Sequence, residues 1–182
     1  DMAADTVAVM DVLDINNAHI VGASMGGMIA QVVAARHPQR TRSLVSIMST
    51  TGSPQLPPPS AEASESLLGV TTDDGAAAER REAMVARGFY PQSMGRQMMA
   101  VFKTGDRSDA VATITAPTLV VHGAEDALLP PPHGAHTAHL IAGSELVVYD
   151  SMGHNIPDDV LPKLLQEMTL HMKAADTAAM TP

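Results

Sequence analysis

Gly22-Ala23-Ser24-Met25-Gly26, preceded by Ala18-His19-Ile20-Val21 and followed by Gly27-Met28-Ile29, is the stretch on which the fold turns. The pattern G-x-S-x-G is common by chance, and its setting is what makes it specific. Residues 18–21 are a short apolar run ending at a glycine, which suits a buried strand. From Met25 the pattern becomes helical. Met28, Ile29, Val32 and Val33 form a stripe, and the helix should stop near His37-Pro38. A strand, a sharp turn and a helix in that order push a serine hydroxyl out of the sheet. The two glycines leave room where strand and helix backbones crowd together. The helix N-terminus behind Ser24 offers free N–H groups and the positive end of a dipole. The N–H of Met25 is then placed to donate to an oxyanion. The bland alternative is a tight turn carrying an inert serine.

Working outward, residues 2–13 read as a helix, with Met2, Val7, Met10 and Leu13 near one face. Asn16-Asn17 marks a turn. Residues 43–48 (SLVSIM) are the next strand. Residues 118–122 (TLVVH) and 145–149 (ELVVY) are two more, separated by a short helix over 134–141 and followed by a final helix over 157–172. Strands alternating with helices predict a parallel α/β sheet with right-handed crossovers. Between the second and third strands the pattern changes. Thr51-Gly52-Ser53-Pro54 and Pro57-Pro58-Pro59 cannot form a regular element. Helices are expected over 76–87 and 91–103. The organisation predicted is a core over 1–50, a helical cap inserted at 51–110, a resumed core over 111–173, and a flexible tail over 174–182. No internal repeat is present.

A serine nucleophile needs a base, and the base needs an orienting acid. Asp126 follows the strand 118–122 in the loop His122-Gly123-Ala124-Glu125-Asp126. His154 follows the strand 145–149 in Ser151-Met152-Gly153-His154-Asn155. Both lie just past the C-terminal ends of expected parallel strands, where such sheets place their sites. Serine, acid and histidine therefore occur in chain order at three strand ends. Glu125 is the alternative acid. His122, within or just past its strand, reads as structural, as do His19 and His37. His133, His136 and His139 fall at i, i+3 and i+6; that spacing fits a metal patch, but a solvated helix face is the simpler reading. His171, in the last helix, is expected to be exposed.

Bulk properties narrow the function. The 182-residue chain is long enough for one domain with a real core. It carries a formal net charge of −9, with no basic run, which argues against nucleic acid as a partner. No basic amphipathic helix and no apolar stretch near the length of a membrane span point to a membrane. With no cysteine there is no disulfide, thiolate metal site or thiol nucleophile, and a cytoplasmic location is expected. The core is aliphatic: two Phe, two Tyr, no Trp, but 13 Met. Methionine fills irregular gaps or lines adaptable pockets. Met94, Met98 and Met99 are candidates to line a substrate pocket; the alternative is that they pack the cap onto the core.

The combination of Gly22-Ala23-Ser24-Met25-Gly26-Gly27, Ala116-Pro117-Thr118-Leu119-Val120-Val121-His122-Gly123 with Asp126 and Pro130, and Gly153-His154 resembles the α/β-hydrolase superfamily, in particular its small cap-bearing esterases. Methylesterases that act on polyketide antibiotics look similar, as do cofactor-free haloperoxidases. The resemblance runs from Asp1 to about Lys173 and is weakest over 50–109. It implies a parallel sheet of the α/β-hydrolase type with Ser24, Asp126 and His154 as catalytic triad and Met25 N–H as oxyanion donor, without cofactor or metal. Members of the superfamily begin with further strands, and the loop after the third supplies a second oxyanion donor. The helix over 2–13 resembles the one just before the nucleophile strand, so this chain is expected to lack those strands. Two consequences follow. A half-built oxyanion hole costs about a hundred- to thousand-fold in rate. The strand at 18–21 becomes a bare edge, which invites pairing with a second copy. The alternative is that the chain is one piece of a longer protein.

The function this predicts is hydrolysis of a small or medium apolar carboxylic ester through an acyl-enzyme. Two alternatives stand beside it. One is a perhydrolase using the same three residues to make peracids. The other is an incomplete fragment acting as a structural module.

Overall fold

The computed structural model describes residues 2–67, 82–83, 85–88 and 90–180. Helix α1 (Met2–Val12) precedes strand β1 (Ala18–Ala23) and helix α2 (Met25–Arg36). A 3-10 turn (Pro38–Arg40) leads into β2 (Thr41–Ile47). Helices α3 (Ala61–Leu67) and α4 (Pro91–Thr104) follow, then a one-turn α5 (Ser108–Val111). The chain closes with β3 (Thr118–Gly123), α6 (Pro132–Leu140), β4 (Glu145–Tyr149) and α7 (Leu161–Ala179).

Among the described residues the four strands form one sheet in the order β1-β2-β3-β4. Every pairing is parallel: Val21 lies against Val45, Ile47 against Val121, and Gly123 against Tyr149. A parallel sheet needs both faces covered, and its inner strands are therefore buried on both. In β3 every residue is buried, and in β2 all but Arg42. The outer strands are more open: Val21 of β1 and Leu146 and Val148 of β4 reach solvent.

Alternation along β2 assigns its side chains to two cores. On one face Leu44 packs with Ala30 and Ala34 of α2, Val111, Ile114 and Ile141. On the other, Val45 and Ile47 join Leu119, Val121, Tyr149, Met152, Val160 and Leu164 of α7. Because all strands run the same way, Ala23, Ile47, Gly123 and Tyr149 end along a single edge of the sheet.

The chain divides into two compact units, residues 1–59 with 106–182, and Ser60–Gly105. The insertion expected over 51–110 is thus narrower, because its ends belong to the sheet unit. Arg107 N–H donates to Thr51 C=O at 2.8 Å, and a guanidinium N–H of Arg107 donates to Thr50 C=O at 3.0 Å. The helix α3 over 61–67 has no counterpart among the sequence expectations. The helix expected over 76–87 falls mostly outside the described residues. The last helix starts later than 157 and continues to Ala179, past the Ala174 boundary set for a flexible tail. Ala175 is buried there, and Asp176 pairs with Arg42 and His19.

Candidate active site

Ser24 lies between the last residue of β1 and the first of α2, with φ 53° and ψ −120°. Non-glycine residues rarely adopt positive φ. The neighbours force it here. Ser24 N–H donates to Ile47 C=O at 2.9 Å, continuing the β1–β2 ladder. Its own C=O accepts from Ser49 Oγ at 2.9 Å and from Met28 N–H at 3.2 Å. Gly22 lets the strand pass the helix: a Cβ there would lie 2.1 Å from Gly26 O. As the first residue of α2, Met25 has an N–H with no intrahelical acceptor.

Asp126 and His154 come from the turns after β3 and β4. Backbone hydrogen bonds tie these turns together. Ala124 N–H donates to Tyr149 C=O at 3.0 Å, and Glu125 N–H to Met152 C=O at 3.1 Å. Gly123 permits the approach, since a Cβ there would stand 2.0 Å from Met152 O. The Asp126 side chain is fully buried, and one of its oxygens accepts from Leu128 N–H at 3.0 Å and Leu129 N–H at 2.8 Å. The other lies 2.8 Å from His154 Nδ1. A carboxylate only accepts, so Nδ1 carries the proton. His154 Nε2 is left with its lone pair and lies 2.8 Å from Ser24 Oγ, which donates to it. The His154 side chain is 21% exposed.

Burial alone would raise the Asp126 pKa. The hydrogen bonds from His154 and from Leu129 N–H outweigh it and hold the carboxyl below its ordinary value. Asp126 is therefore a carboxylate at neutral pH.

Ser24, His154 and Asp126 thus lie each within hydrogen-bond distance of the next. Glu125, the alternative acid, is exposed. Met98 on α4 is half-buried and Met99 exposed; the Met94 side chain lies outside the described residues. The histidines of α6 differ from expectation. His133 is buried, bonded to Thr50 Oγ1 at 2.7 Å and donating to Pro57 C=O at 2.9 Å, so it fastens the chain after β2. His136 does the same to Thr51 Oγ1 at 3.0 Å; only His139 is exposed. Among the described residues no cluster of three metal-ligating side chains occurs, and no helix is long and apolar enough to cross a membrane. His171 is half-buried against Pro117 C=O at 3.2 Å rather than exposed. Sequence reasoning missed Ser49, Leu128, Leu129 and Met152, which act through backbone or a short hydroxyl and leave no residue-type signature.

A parallel sheet with helices on both faces, and a serine, histidine and aspartate gathered at its C-terminal edge, define an α/β protein built for work at that edge. Residues 1–74 match the family described as the alpha/beta hydrolase fold. Over 219 aligned positions the chain is 27% identical to rhodomycin D methylesterase DnrP of Streptomyces peucetius, covering 96% of this chain and 73% of that protein. Since 219 positions exceed the 182 residues here, the relative carries insertions within the matched span. The chain is 30% identical to the pimeloyl-[acyl-carrier protein] methyl ester esterase of Neisseria meningitidis, covering 85% of this chain and 68% of that one. Among solved structures, Est816, an N-acyl homoserine lactone degrading enzyme, aligns with a TM-score of 0.68 at 30% identity, covering 91% of this chain and 72% of that one. The chain belongs to the α/β-hydrolase fold family, and hydrolysis is the class of reaction these relatives support.

Proposed function

We propose that this protein is a serine hydrolase that cleaves a carboxylic ester through an acyl-enzyme, with Ser24 as nucleophile, His154 as base and Asp126 as orienting acid. The observation that carries the reading is the continuous pair of 2.8 Å hydrogen bonds from Ser24 Oγ to His154 Nε2 and from His154 Nδ1 to Asp126. Ser24 Oγ attacks the ester carbonyl carbon while its proton passes to His154 Nε2. Asp126 holds the imidazole in the required tautomer and stabilises the imidazolium. The oxyanion that forms faces the N–H of Met25, at the positive end of α2. The carbon–oxygen bond to the alcohol then breaks, and the alcohol leaves with the proton from His154. Water, deprotonated by the same nitrogen, attacks the acyl-enzyme and releases the acid.

Two of the relatives are methyl ester esterases by name. Their likeness supports an ester with a small alcohol, and the aliphatic composition of the chain supports an apolar acyl part. The test is the intact mass of the protein after treatment with a fluorophosphonate, compared with Ser24→Ala and His154→Ala. A single adduct on the unmodified chain, absent from both variants, is expected. A folded, unmodified chain that gains no mass would overturn the reading.

A further inference from the structure

One buried histidine next to the site has no part in the steps above. His122, the penultimate residue of β3, has a side chain with no solvent exposure. Its ring packs against the first turn of α6, where Gly134 makes room; a Cβ on Gly134 would fall 2.6 Å from His122 Nδ1. Nε2 is 2.7 Å from Leu129 C=O. A carbonyl only accepts, so Nε2 carries the proton. Nδ1 has no hydrogen-bond partner among the described residues. Burial pushes the ring's pKa down, despite the opposing pull of Leu129 C=O and of Asp126, so the ring is neutral. A neutral imidazole with its proton fixed on Nε2 is a rigid donor aimed at one carbonyl.

That carbonyl belongs to the residue whose N–H grips Asp126. Leu129 accepts from His122 at 2.7 Å and donates to Asp126 at 2.8 Å. Nε2 also lies 3.6 Å from the Asp126 oxygen that His154 uses, beyond hydrogen-bond distance. An aliphatic side chain would fill the same volume but would leave the Leu129 carbonyl without this donor.

We infer that His122 is a positioning residue, which through Leu129 sets the orientation of the Asp126 carboxylate toward His154. The inference rests on the reading of Ser24, His154 and Asp126 given above, and its test separates the two.

The full chain is compared with His122→Leu and His122→Gln, each checked for a cooperative thermal transition. Glutamine places an amide N–H near the former Nε2; leucine keeps the volume without a donor. Two quantities are read: the fluorophosphonate labelling rate of Ser24, and the far-downfield proton resonance of the His154 Nδ1–H bonded to Asp126. We expect His122→Leu to label about 100-fold more slowly, the scale of a small misplacement of a reacting group, and to lose the resonance. His122→Gln should keep most of the rate and the resonance. A packing role predicts the reverse order, because leucine suits an apolar site better than an amide does. Leucine labelling as fast as glutamine, or the resonance surviving in both variants, overturns the inference. If His122→Leu does not fold, a folded His122→Gln that loses the resonance overturns it. If the unmodified chain fails to label, the proposed function falls, and the resonance alone decides the role of His122. A resonance missing from the unmodified chain as well overturns both.

Discussion

The turn that carries Ser24 meets the paired turns that carry Asp126 and His154 across one 2.8 Å hydrogen bond, from Ser24 to His154, yet different forces hold the two halves. Around Ser24 the close contacts are steric and local, beside hydrogen bonds to Ile47 and Ser49. Gly22 touches the carbonyl of Gly26, four residues on, and the serine is squeezed into φ 53° between them. Around Asp126 the contacts are hydrogen bonds between separate segments. Gly123 touches Met152 O, Ala124 bonds Tyr149, and Glu125 bonds Met152. The backbone angle of the serine is therefore set chiefly within one strand-turn-helix unit, which β2 steadies through Ile47. The geometry of the acid and histidine is a property of how β4 docks on β3. The second half should yield first when the sheet is loosened.

Matched substitutions at the two glycines test this most severely. In Gly22→Ala the new methyl would lie 2.1 Å from a carbonyl oxygen, and in Gly123→Ala 2.0 Å. Both obstacles are backbone and cannot swing aside as a side chain can. Each variant is expected to lose about 3 kcal/mol or more in urea unfolding, at the upper end of overpacking effects. Each should also lose fluorophosphonate labelling. The comparison predicts where the damage spreads. Amide hydrogen exchange should rise in α2 for Gly22→Ala, and in the turns after both β3 and β4 for Gly123→Ala. If the Gly123→Ala damage stayed within the turn after β3, the two turns would not be coupled as described.

Asp126→Asn probes the hydrogen-bonded half without changing its volume. An amide can accept from Leu128 and Leu129, but its NH2 would face the proton on His154 Nδ1. In serine enzymes the equivalent change costs about 10⁴ in kcat by enforcing the wrong tautomer. Hydrolysis of a short test ester should fall by about that factor. The same residue makes stability depend on pH. The folded-state pKa of Asp126 is depressed, so its stabilisation is fully present above the unfolded carboxylate value of about 3.9, and is lost as pH falls through the lower folded value. The stability difference between the unmodified chain and Asp126→Asn should therefore be flat at neutral pH and shrink on acidification. Denaturant titrations across that range measure it. A difference that grew toward low pH would mean the carboxyl is not held ionised.

The contrast between the halves also explains what the sequence disclosed. Ser24 was legible because its surroundings are contiguous: an apolar run, two glycines and a helical stripe within residues 18–33. The strands over 118–122 and 145–149 were legible from apolar runs alone, which placed Asp126 and His154 in the turns that follow them. What bonds those turns was not legible. Leu128 and Leu129 contribute backbone N–H groups, and Met152 a carbonyl, and any residue type could do so. His133 reads as one of three histidines on a helix, because nothing in its own segment announces Thr50 and Pro57, more than 70 residues earlier. The helix α7 was ended too early at its Ala-Ala-Asp because small residues carry no hydrophobic stripe. Its last turns are fixed instead by burial of Ala175 and by the pairing of Asp176 with Arg42 and His19.

The smallest effect expected is the most specific to the serine half. Ser24 is the non-glycine residue at the site whose φ, 53°, lies with ψ −120° in territory that glycine enters freely. Strain of this kind costs about 1–3 kcal/mol. Ser24→Gly relieves it, against about 0.5–1 kcal/mol for the greater freedom of glycine in the unfolded chain. Ser24→Ala removes the same hydroxyl and its bond to His154 but keeps the Cβ, and with it the strain. The pair therefore isolates backbone strain from the lost hydrogen bond. Ser24→Gly should unfold about 2–4 °C above Ser24→Ala, the shift that about 1 kcal/mol produces in a chain of this size. Neither variant should react with a fluorophosphonate. Equal transition temperatures would mean that the turn accommodates its serine without strain, and the steric account of this half of the site would fail. A higher temperature for the glycine variant would mean that the fold gives up stability to hold a side-chain oxygen where a glycine would be more comfortable.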